Sequence, residues 1–395
     1  MFERLLLVVE MVMRSILQAF EVRYSYPVHC THRLFGLDNP ILHELFAPSA
    51  SLPKLWVVLD QAVAEHHPNL LTEIAAYAQA SQAFSLVEPS LILAGGEAIK
   101  QTTEPLQAVY DGINRYAIDR HSYLMAIGGG ALIDMVGYAA ATAHRGVRLI
   151  RVPTTVLAQN DAAVGVKNSI NAFGKKNFLG TFAPPYAVLN DSHFLTTLSE
   201  RDWRSGIAEA IKVALLKDPA FFATIERTAA ALRQRDLAVM EDQVFRCAEL
   251  HLAHIAGGDP FERGSARPLD FGHWAAHKLE QLSNYSLRHG EAVAIGIALD
   301  CTYSYLNADL AEADWQRVLT CLTAVGFELY HPALSNQLEL PEHPQSLLSG
   351  LAEFREHLGG QLTITLMRGI GQPYDVHTID LPMMQQAIRY LAERA

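Results

Sequence analysis

The sequence predicts an α/β layer in its N-terminal half and a mostly α-helical C-terminal half. Up to about residue 190, apolar runs of strand length alternate with helix-length amphipathic stretches. Several of these runs end in glycines or in Pro-Thr-Thr, as expected of turns after buried strands. Beyond about residue 198, alanine, leucine, glutamate and arginine dominate, which favours helices. Since the apolar runs show no polar alternation, we expect a parallel sheet covered on both faces, in a Rossmann-like arrangement.

The predicted elements follow the chain in order. The strands are residues 55–59, 91–94, 123–127, 149–152 and 187–189, with helices over 69–83, 103–116 and from 131 onward. In the second half, helical patterns cover residues 200–256, 273–282, 291–306 and 311–325, and a short strand is predicted at 362–366. We therefore predict two domains, residues 1–195 and 196–395.

Composition limits the class of protein. Half of the 395 residues are hydrophobic and 18% are charged, which supplies a large core and excludes disorder, collagen and coiled coil. The net charge of -11 argues against a nucleic-acid partner. No apolar run approaches the roughly 20 residues of a membrane helix. Four separated cysteines without a CxxC pair indicate a reducing compartment, so we expect a cytoplasmic protein.

Two glycine turns suggest a dinucleotide site. Gly128, Gly129 and Gly130 lie between a predicted strand and a helix, where backbone amides can approach an anion such as a pyrophosphate. Gly95-Gly96 follows the preceding strand. Two such turns at adjacent strand ends fit a dinucleotide lying across the sheet edge. Because the spacing is not GxGxxG, a tight turn without a ligand is the alternative.

Histidines and one glutamate form a candidate metal site. His273 and His277 are four residues apart on one helical face, His289 follows, and Glu209 lies upstream. Two imidazoles and one carboxylate suit a zinc-type cation and leave positions open for substrate. A single histidine is more often a core or surface residue. Sequence alone does not select which three of these side chains bind.

A basic segment is a candidate phosphate pocket. Lys167, Lys176 and Asn177 lie just past the fourth predicted strand, and Arg145 and Arg148 precede it. Basic side chains clustered in an otherwise acidic chain favour phosphate binding. The alternative is a solvated loop.

Six segments, in order along the chain, carry a resemblance to a known family. They are GGGALIDMVGYAAA, HRGVRLIRVPTTVLAQNDAAVGVKNSIN, GKKN, RSGIAEAIK, LDFGHWAAHKLE and RHGEAVAIGIAL. On these segments the chain resembles 3-dehydroquinate synthase and, more broadly, the sugar-phosphate cyclases, which include 2-epi-5-epi-valiolone synthase and 2-deoxy-scyllo-inosose synthase. The resemblance runs from residue 55 to residue 371.

The resemblance implies an NAD-binding domain at 1–195, a metal- and substrate-binding domain at 196–395, and a homodimer in which Arg145 reaches across the interface. It implies Glu209, His273 and His289 as ligands of a zinc or cobalt ion. The implied NAD contacts are Asp60, Glu97, Lys100, Gly129, Gly130, Asp134, Thr154 and Thr155. The implied phosphate contacts are Arg145, Lys167, Asn177 and His277. The implied catalytic set is Asp161, Lys167, Lys212, Asp270 and His277, with Asp161 and Lys212 holding substrate hydroxyls.

The resemblance also implies the reaction. Bound NAD oxidises a secondary alcohol next to the metal, the resulting ketone acidifies a neighbouring C–H, and phosphate leaves by β-elimination. The hydride returns, the ring opens, and an intramolecular aldol reaction closes a carbocycle. The cofactor is regenerated in each cycle, so there is no net oxidation.

The substrate pocket departs from that of 3-dehydroquinate synthase. Asp270 replaces an asparagine, His251 loosely matches a lysine, and Arg267 is displaced by one position. A carboxylate about 4 Å from a substrate carboxylate costs on the order of 1–4 kcal/mol. We therefore expect a neutral ketose phosphate such as sedoheptulose 7-phosphate. The FREHLGG segment at 354–360 is similar to valiolone-type cyclases. Those enzymes lack a histidine that matches His277, so the chain resembles a distinct branch, such as the dehydroquinate-synthase-like proteins of the Ebo gene clusters.

Three alternatives remain at this stage. The first is an authentic 3-dehydroquinate synthase in which Arg267 compensates the substrate carboxylate. The second is a metal-dependent polyol dehydrogenase, which would release NADH and no phosphate. The third is a binding or scaffold protein without a metal, against which the combination of Glu209, His273 and His289 argues.

Overall fold

The N-terminal half is an α/β layer. The computed structural model describes residues 15–46, 51–173, 175–257, 260–261, 268–357 and 359–395. Strands β1 to β8 are Val28–Thr31, Lys54–Asp60, Ser85–Leu93, Tyr123–Gly128, Arg148–Pro153, Lys167–Ala172, Lys175–Phe182 and Ala187–Asp191. Helices α1 to α5 are Ile41–Glu44, Gln61–His66, Leu70–Ser81, Glu104–Arg115 and Gly130–Thr142.

Six of these strands form one parallel sheet in the order β1-β8-β5-β4-β2-β3. Strands β2 and β4 are buried along nearly their whole length, and apolar clusters cover both faces of the sheet. One cluster packs α4 and α5 against one face, and the other packs α3 against the opposite face. The predicted two-sided parallel sheet is therefore confirmed. Since the strands are parallel, their carboxyl ends lie at one edge, and this edge carries the glycine turns.

Two features of this half differ from the sequence prediction. The strand predicted at 91–94 is the end of the longer strand β3, which lies at the edge of the sheet and is mostly half-exposed. Strands β6 and β7 form an antiparallel hairpin that the sequence did not predict. Many residues of β7 face solvent, so its sequence lacks the continuous apolar run that identified the buried strands.

The C-terminal half is mostly helical, as predicted. Helices α6 to α13 are Glu200–Lys217, Pro219–Arg233, Leu237–Ala256, His273–Leu282, His289–Leu306, Glu312–Val325, Gly350–His357 and Leu381–Ala392. Asp218 and Asp236 accept hydrogen bonds from backbone amides at the starts of α7 and α8, so the predicted helical stretch at 200–256 divides there. The strand predicted at 362–366 is β9, Ile364–Met367, which pairs with an unpredicted β10, Pro373–Val376.

Helices α6 and α10 cross at the centre of this half, and almost every residue of α10 is buried. The last parallel strand ends at Asp191 and α6 begins at Glu200. The domain boundary at 195/196 stays a prediction. Within the described residues, no helix combines the length and the apolar character needed to cross a bilayer.

Candidate active site

The glycine turns and Asp60 lie together at the carboxyl edge of the sheet. A Cβ added to Gly95 would lie 1.9 Å from Asp60 Oδ2, and one added to Gly128 would lie 3.0 Å from Asp60 Cβ. Burial raises the pKa of Asp60, although its Oδ1 accepts a hydrogen bond from Ala62 N over 2.9 Å. The turns after β3 and β4 thus place open backbone beside one carboxylate, an arrangement that suits the ribose of a dinucleotide.

The N-terminus of α5 is open to an anion. Gly129 precedes the first turn and contributes no capping side chain, so amides of that turn have no side-chain partner. Thr154 N donates to Gly128 O over 3.0 Å, which joins the turn after β5 to the turn after β4. Thr155 lies next to the open side of Gly129, with its methyl group 3.5 Å from an added Cβ. The amides of this turn are therefore available to an anion.

Lys100 connects the predicted NAD contacts to the predicted phosphate contacts. Its buried Nζ lies 2.8 Å from Asp134 Oδ2 and 3.1 Å from Ser169 Oγ, and it also donates to Asn177 Oδ1. On the same side of the hairpin, Asn171 Nδ2 donates to Glu97 Oε1 over 3.2 Å. Lys100, held by its ion pair with Asp134, and Ser169 therefore orient the Asn177 side chain through hydrogen bonds to its Oδ1.

Glu209, His273 and His289 form the candidate metal centre. They come from α6, α9 and α10, and one potential ligand atom of each lies within 4.8 Å of the other two. Glu209 Oε1 is 3.4 Å from His273 Nε2 and 3.3 Å from His289 Nε2. Those separations equal the edge, about 3.3 Å, of a tetrahedron whose metal–ligand bonds are about 2.0–2.1 Å.

The donor atoms fit a cation. Both carboxylate oxygens of Glu209 are buried and lack a partner with hydrogen-bond geometry, although cations lie within ion-pair distance. Burial favours the neutral acid, but Lys212 and His273 outweigh it and hold the pKa of Glu209 well below its usual range. A buried, ionised carboxylate next to two imidazoles is the donor set expected for a divalent metal.

Glycines allow the three helices to approach closely enough for this geometry. A Cβ on Gly290 would lie 1.7 Å from Ser205 O, so α10 touches α6 beside His289. Gly272, with a φ of +75°, lies against α10 just before His273, and its amide donates to buried Asp300 Oδ2 over 3.1 Å. The other Asp300 oxygen accepts from Trp274 Nε1 over 2.9 Å. Asp300 thus holds both neighbours of His273.

Further side chains orient the imidazoles. His273 Nδ1 lies 3.1 Å from Phe271 O, which leaves Nε2 facing Glu209. His289 Nδ1 lies 3.3 Å from Glu280 Oε2, and Glu280 Oε1 is 3.3 Å from Lys176 Nζ on β7. Burial opposes ionisation, but His289 and Lys176 hold the pKa of Glu280 well below its usual range. The hairpin of the N-terminal half is therefore connected to a candidate ligand in the C-terminal half.

Lys212 and Asp161 lie close to Glu209 of the candidate metal centre. Lys212 lies one helical turn after Glu209, and its Nζ is 2.5 Å from Glu209 Oε2. Burial lowers the pKa of Lys212, but Glu209, Asp161 and Asp270 together raise it above its usual value. Asp161 Oδ1 is 3.0 Å from His251 Nε2 on α8. Burial raises the pKa of Asp161, but His251 and Lys212 outweigh this and bring it to about 2.

The predicted phosphate contacts are only partly brought together within one chain. The His277 ring stacks near His289, with centroids 6.1 Å apart. Burial is the largest cause that holds the pKa of His277 well below its usual range, and His273 and His289 lower it further. Asn177 lies near the tip of the hairpin, whereas Lys167 lies at its open end, paired with Phe182. Arg145 precedes β5, at the amino ends of the strands and on the sheet edge opposite the glycine turns.

Comparisons with known proteins agree with this architecture. Residues 90–205 match the N-terminal domain of 3-dehydroquinate synthase, and residues 206–346 match its C-terminal domain. The 3-dehydroquinate synthase of Jannaschia sp. is 34% identical over 85% of this chain and 88% of that protein. The enzyme of Paracoccus denitrificans is 36% identical over 85% and 89%.

The chain belongs to the 3-dehydroquinate synthase family.

Solved structures show related folds. The 2-epi-5-epi-valiolone synthase of Streptomyces hygroscopicus subsp. jinggangensis, with NAD+ and Zn2+ bound, superposes with a TM-score of 0.84 at 30% identity and covers 96% of this chain and 100% of that one. A 2-deoxy-scyllo-inosose synthase in complex with carbaglucose-6-phosphate, NAD+ and Co2+ superposes with a TM-score of 0.73 at 22% identity, over 92% and 96% of the two chains. Members of this superfamily are sugar-phosphate cyclases, a class of lyase.

Sequence reasoning missed two residues of this site in the 3-dehydroquinate synthase fold. Glu280 follows His273 by seven residues, two helical turns, so the helical period placed it on the same face. Asp300 lies eleven residues beyond His289, and only the crossing of α9 and α10 brings it next to His273. Arg267 lies outside the described residues.

Proposed function

We propose that this chain is a sugar-phosphate cyclase that binds NAD at the glycine turns on the carboxyl edge of the sheet and a zinc or cobalt ion at Glu209, His273 and His289. The observation that carries the proposal is the buried, ionised Glu209, whose Oε1 lies 3.3–3.4 Å from two imidazole nitrogens, the separation expected between two ligands of one metal ion. The NAD contacts proposed from the family resemblance are Asp60, Glu97, Lys100, Gly129, Gly130, Asp134, Thr154 and Thr155.

When bound, NAD supplies reversible hydride transfer and the metal supplies positive charge beside the substrate hydroxyls. The ionised Asp161 accepts hydrogen bonds from those hydroxyls, and Lys212 donates to the oxygen that loses its proton. His277, kept neutral by its surroundings, offers one ring nitrogen as an acceptor for a proton near the phosphate. Asn177, oriented by Lys100, donates its amide to the phosphate.

We propose that the substrate is a neutral ketose phosphate such as sedoheptulose 7-phosphate. Asp161, Glu209 and Asp270 all lie close enough to Lys212 to raise its pKa. His251 is paired with Asp161. A substrate carboxylate next to Asp270 would be repelled by that side chain, whereas a hydroxymethyl group donates a hydrogen bond to it.

The second candidate is an authentic 3-dehydroquinate synthase, which the names of the relatives favour. The two functions separate in a phosphate-release assay with NAD and zinc or cobalt supplied. We expect turnover of sedoheptulose 7-phosphate. Efficient turnover of 3-deoxy-arabino-heptulosonate 7-phosphate, with none of sedoheptulose 7-phosphate, would refute the proposed substrate. The chain would then be placed with the authentic synthases and not with a branch such as the Ebo-type proteins.

We also propose a homodimer. Arg145 lies on the sheet edge opposite the glycine turns of its own chain, so its predicted contact with phosphate requires a second copy. Sedimentation velocity tests the dimer, and an Arg145→Ala variant with an unchanged KM for the sugar phosphate would contradict its role.

A further inference from the structure

Arg151 is a charged residue in the core of the N-terminal half. It occupies the middle of β5, paired with Ala126 on one side and Val188 on the other, and its side chain has no solvent exposure. Within the described residues no carboxylate lies at ion-pair distance from it. Burial lowers the pKa of this guanidinium to about 10, still far above neutrality. The core therefore contains a guanidinium cation, which is costly to bury unless its donors are satisfied.

Both Nη groups of the guanidinium donate to one short segment, whereas the buried Nε has no hydrogen-bond partner. Arg151 Nη1 donates to Ala163 O over 2.8 Å and to Gly165 O over 2.6 Å. Arg151 Nη2 donates to Lys167 O over 3.3 Å and to Asn168 Oδ1 over 2.8 Å. All four acceptors lie within six consecutive residues.

Residues 163–166 of this segment have no regular secondary structure and connect a π-helical turn at Ala158–Ala162 to the start of β6. Its remaining carbonyls also have partners: Tyr26 Oη donates to Val164 O over 2.8 Å, and Ala183 N donates to Val166 O over 2.8 Å. Without Arg151, three backbone carbonyls would lose this donor at once. Buried carbonyls require partners, so the segment would have to rearrange.

The room for this contact is built into α5. A Cβ on Gly137 would lie 1.9 Å from Asn168 Oδ1, so glycine at this position lets the Asn168 side chain reach the guanidinium. Asn168 is almost fully buried, and its Nδ2 donates to Ala183 O over 3.1 Å. Arg151, Asn168 and Gly137 thus form one buried contact between β5, β6 and α5.

The segment that Arg151 holds connects two residues of the proposed site. Asp161 lies in the π-helical turn just before it, and Lys167 is the first residue of β6 after it. We infer that Arg151 is a positioning residue that fixes Asp161 and Lys167 relative to each other for the hydroxyls and the phosphate of one substrate. This inference rests on the proposed function for the identity of the ligand. The contact of Arg151 with residues 163–168 rests on geometry alone.

The test compares Arg151→Lys with Arg204→Lys. The first keeps the charge but cannot reach four acceptors. The second is a matched control, since Arg204 is a half-buried arginine that donates to a backbone carbonyl, Gly326 O, at the end of α11. For both variants, kcat and KM are measured well below the melting temperature, and amide hydrogen exchange is followed by mass spectrometry.

For Arg151→Lys we expect faster exchange in peptides covering residues 162–168, unchanged exchange in α6 and α9, and a fall in kcat of about 100-fold, as misplaced catalytic groups cause. The metal content should not change. Arg204→Lys should keep kcat and leave exchange at 162–168 as in the parent. A merely structural role would lower the melting temperature without lowering kcat of the folded enzyme.

The inference is overturned if folded Arg151→Lys keeps kcat within about threefold, or if its exchange at 162–168 is unchanged. Should Arg151→Lys fail to fold, Asn168→Ala removes one acceptor and is expected to change both readouts in the same direction, by less. If the parent enzyme turns over no sugar phosphate, the proposed function fails. The exchange measurement, together with calorimetric binding of sedoheptulose 7-phosphate to parent and variant, still decides whether Arg151 orders the segment for a ligand.

Discussion

At the residue scale, the three candidate metal ligands direct potential ligand atoms at one another. His273 contributes one nitrogen to Phe271 O and directs the other at Glu209. We expect His273→Gln to weaken metal binding by at least about 100-fold, since even changes behind a ligand cost 10–100-fold. The metal content that remains after dialysis measures this weakening, and a His343→Gln variant, at an exposed position, is the control. Equal metal content in both variants would show that the metal binds elsewhere.

Asp270 carries the proposed preference for a neutral substrate. Replacing it with asparagine removes a negative charge beside Lys212 and keeps the side-chain shape. We expect Asp270→Asn to raise the ratio of kcat/KM for 3-deoxy-arabino-heptulosonate 7-phosphate over sedoheptulose 7-phosphate by at least about tenfold, corresponding to a charge repulsion of about 1.4 kcal/mol or more. Asp314→Asn, on α11, is the control. An unchanged ratio would mean that Asp270 does not face the discriminating group.

Asp300 predicts a pH dependence of stability. Burial raises its pKa from an ordinary value of 3.8 to about 7, against two hydrogen bonds that lower it. The folded chain therefore holds more protons than the unfolded chain between about pH 4 and pH 7, so this residue's contribution to stability falls as the pH rises through that window. The loss is at most on the order of 4 kcal/mol.

We expect Asp300→Asn to flatten the change in the free energy of unfolding between pH 5 and pH 8, measured by urea denaturation. A variant that loses as much stability as the parent over this interval would show that another group titrates. Asp300 was not chosen from the sequence, because a carboxylate inside the apolar helix α10 gives no local pattern that identifies its partners.

At the element scale, the site depends on how closely three helices pack. Gly290 brings the first turn of α10 against Ser205 of α6, and a Cβ there would lie 1.7 Å from a backbone oxygen. We expect Gly290→Ala to lower the free energy of unfolding by about 1–3 kcal/mol or more, since overpacking displaces backbone. It should also weaken metal binding, because His289 moves away from Glu209.

Gly369→Ala is the control for this change, since its added Cβ would meet only ordinary contacts at 3.5 Å and beyond. Chemical denaturation and metal titration on both variants give the comparison. If Gly290→Ala unfolds like the parent, the close contact of α6 and α10 is not required.

The elements also show where sequence reasoning succeeds and where it stops. Strands β2 and β4 are buried on both faces, so their apolar runs identified them almost to the residue. Strand β7 faces solvent over much of its length, and β3 lies at an edge, so their patterns are weaker and their bounds were wrong or absent. The hairpin that carries Lys167 and Asn177 was therefore predicted only as a basic segment.

At the scale of the whole molecule, the site lies where the two halves meet. Lys176 on β7 reaches Glu280 on α9, and Lys175 reaches Glu356 on α12 at 2.8 Å. The order of the motifs predicted that the glycine turns and the metal ligands belong to one site, but it did not predict which side chains connect them. Contacts between residues a hundred positions apart follow from the packing of the two halves, which no local pattern contains.

The central claim is that NAD, a divalent metal and the phosphate contacts act together on one sugar phosphate. The most direct test measures inorganic phosphate and absorbance at 340 nm in the same reaction, with the chain supplied with NAD, zinc or cobalt, and sedoheptulose 7-phosphate. We expect one phosphate released per substrate consumed and no accumulation of NADH. Stoichiometric NADH without phosphate would instead identify a polyol dehydrogenase and contradict the account.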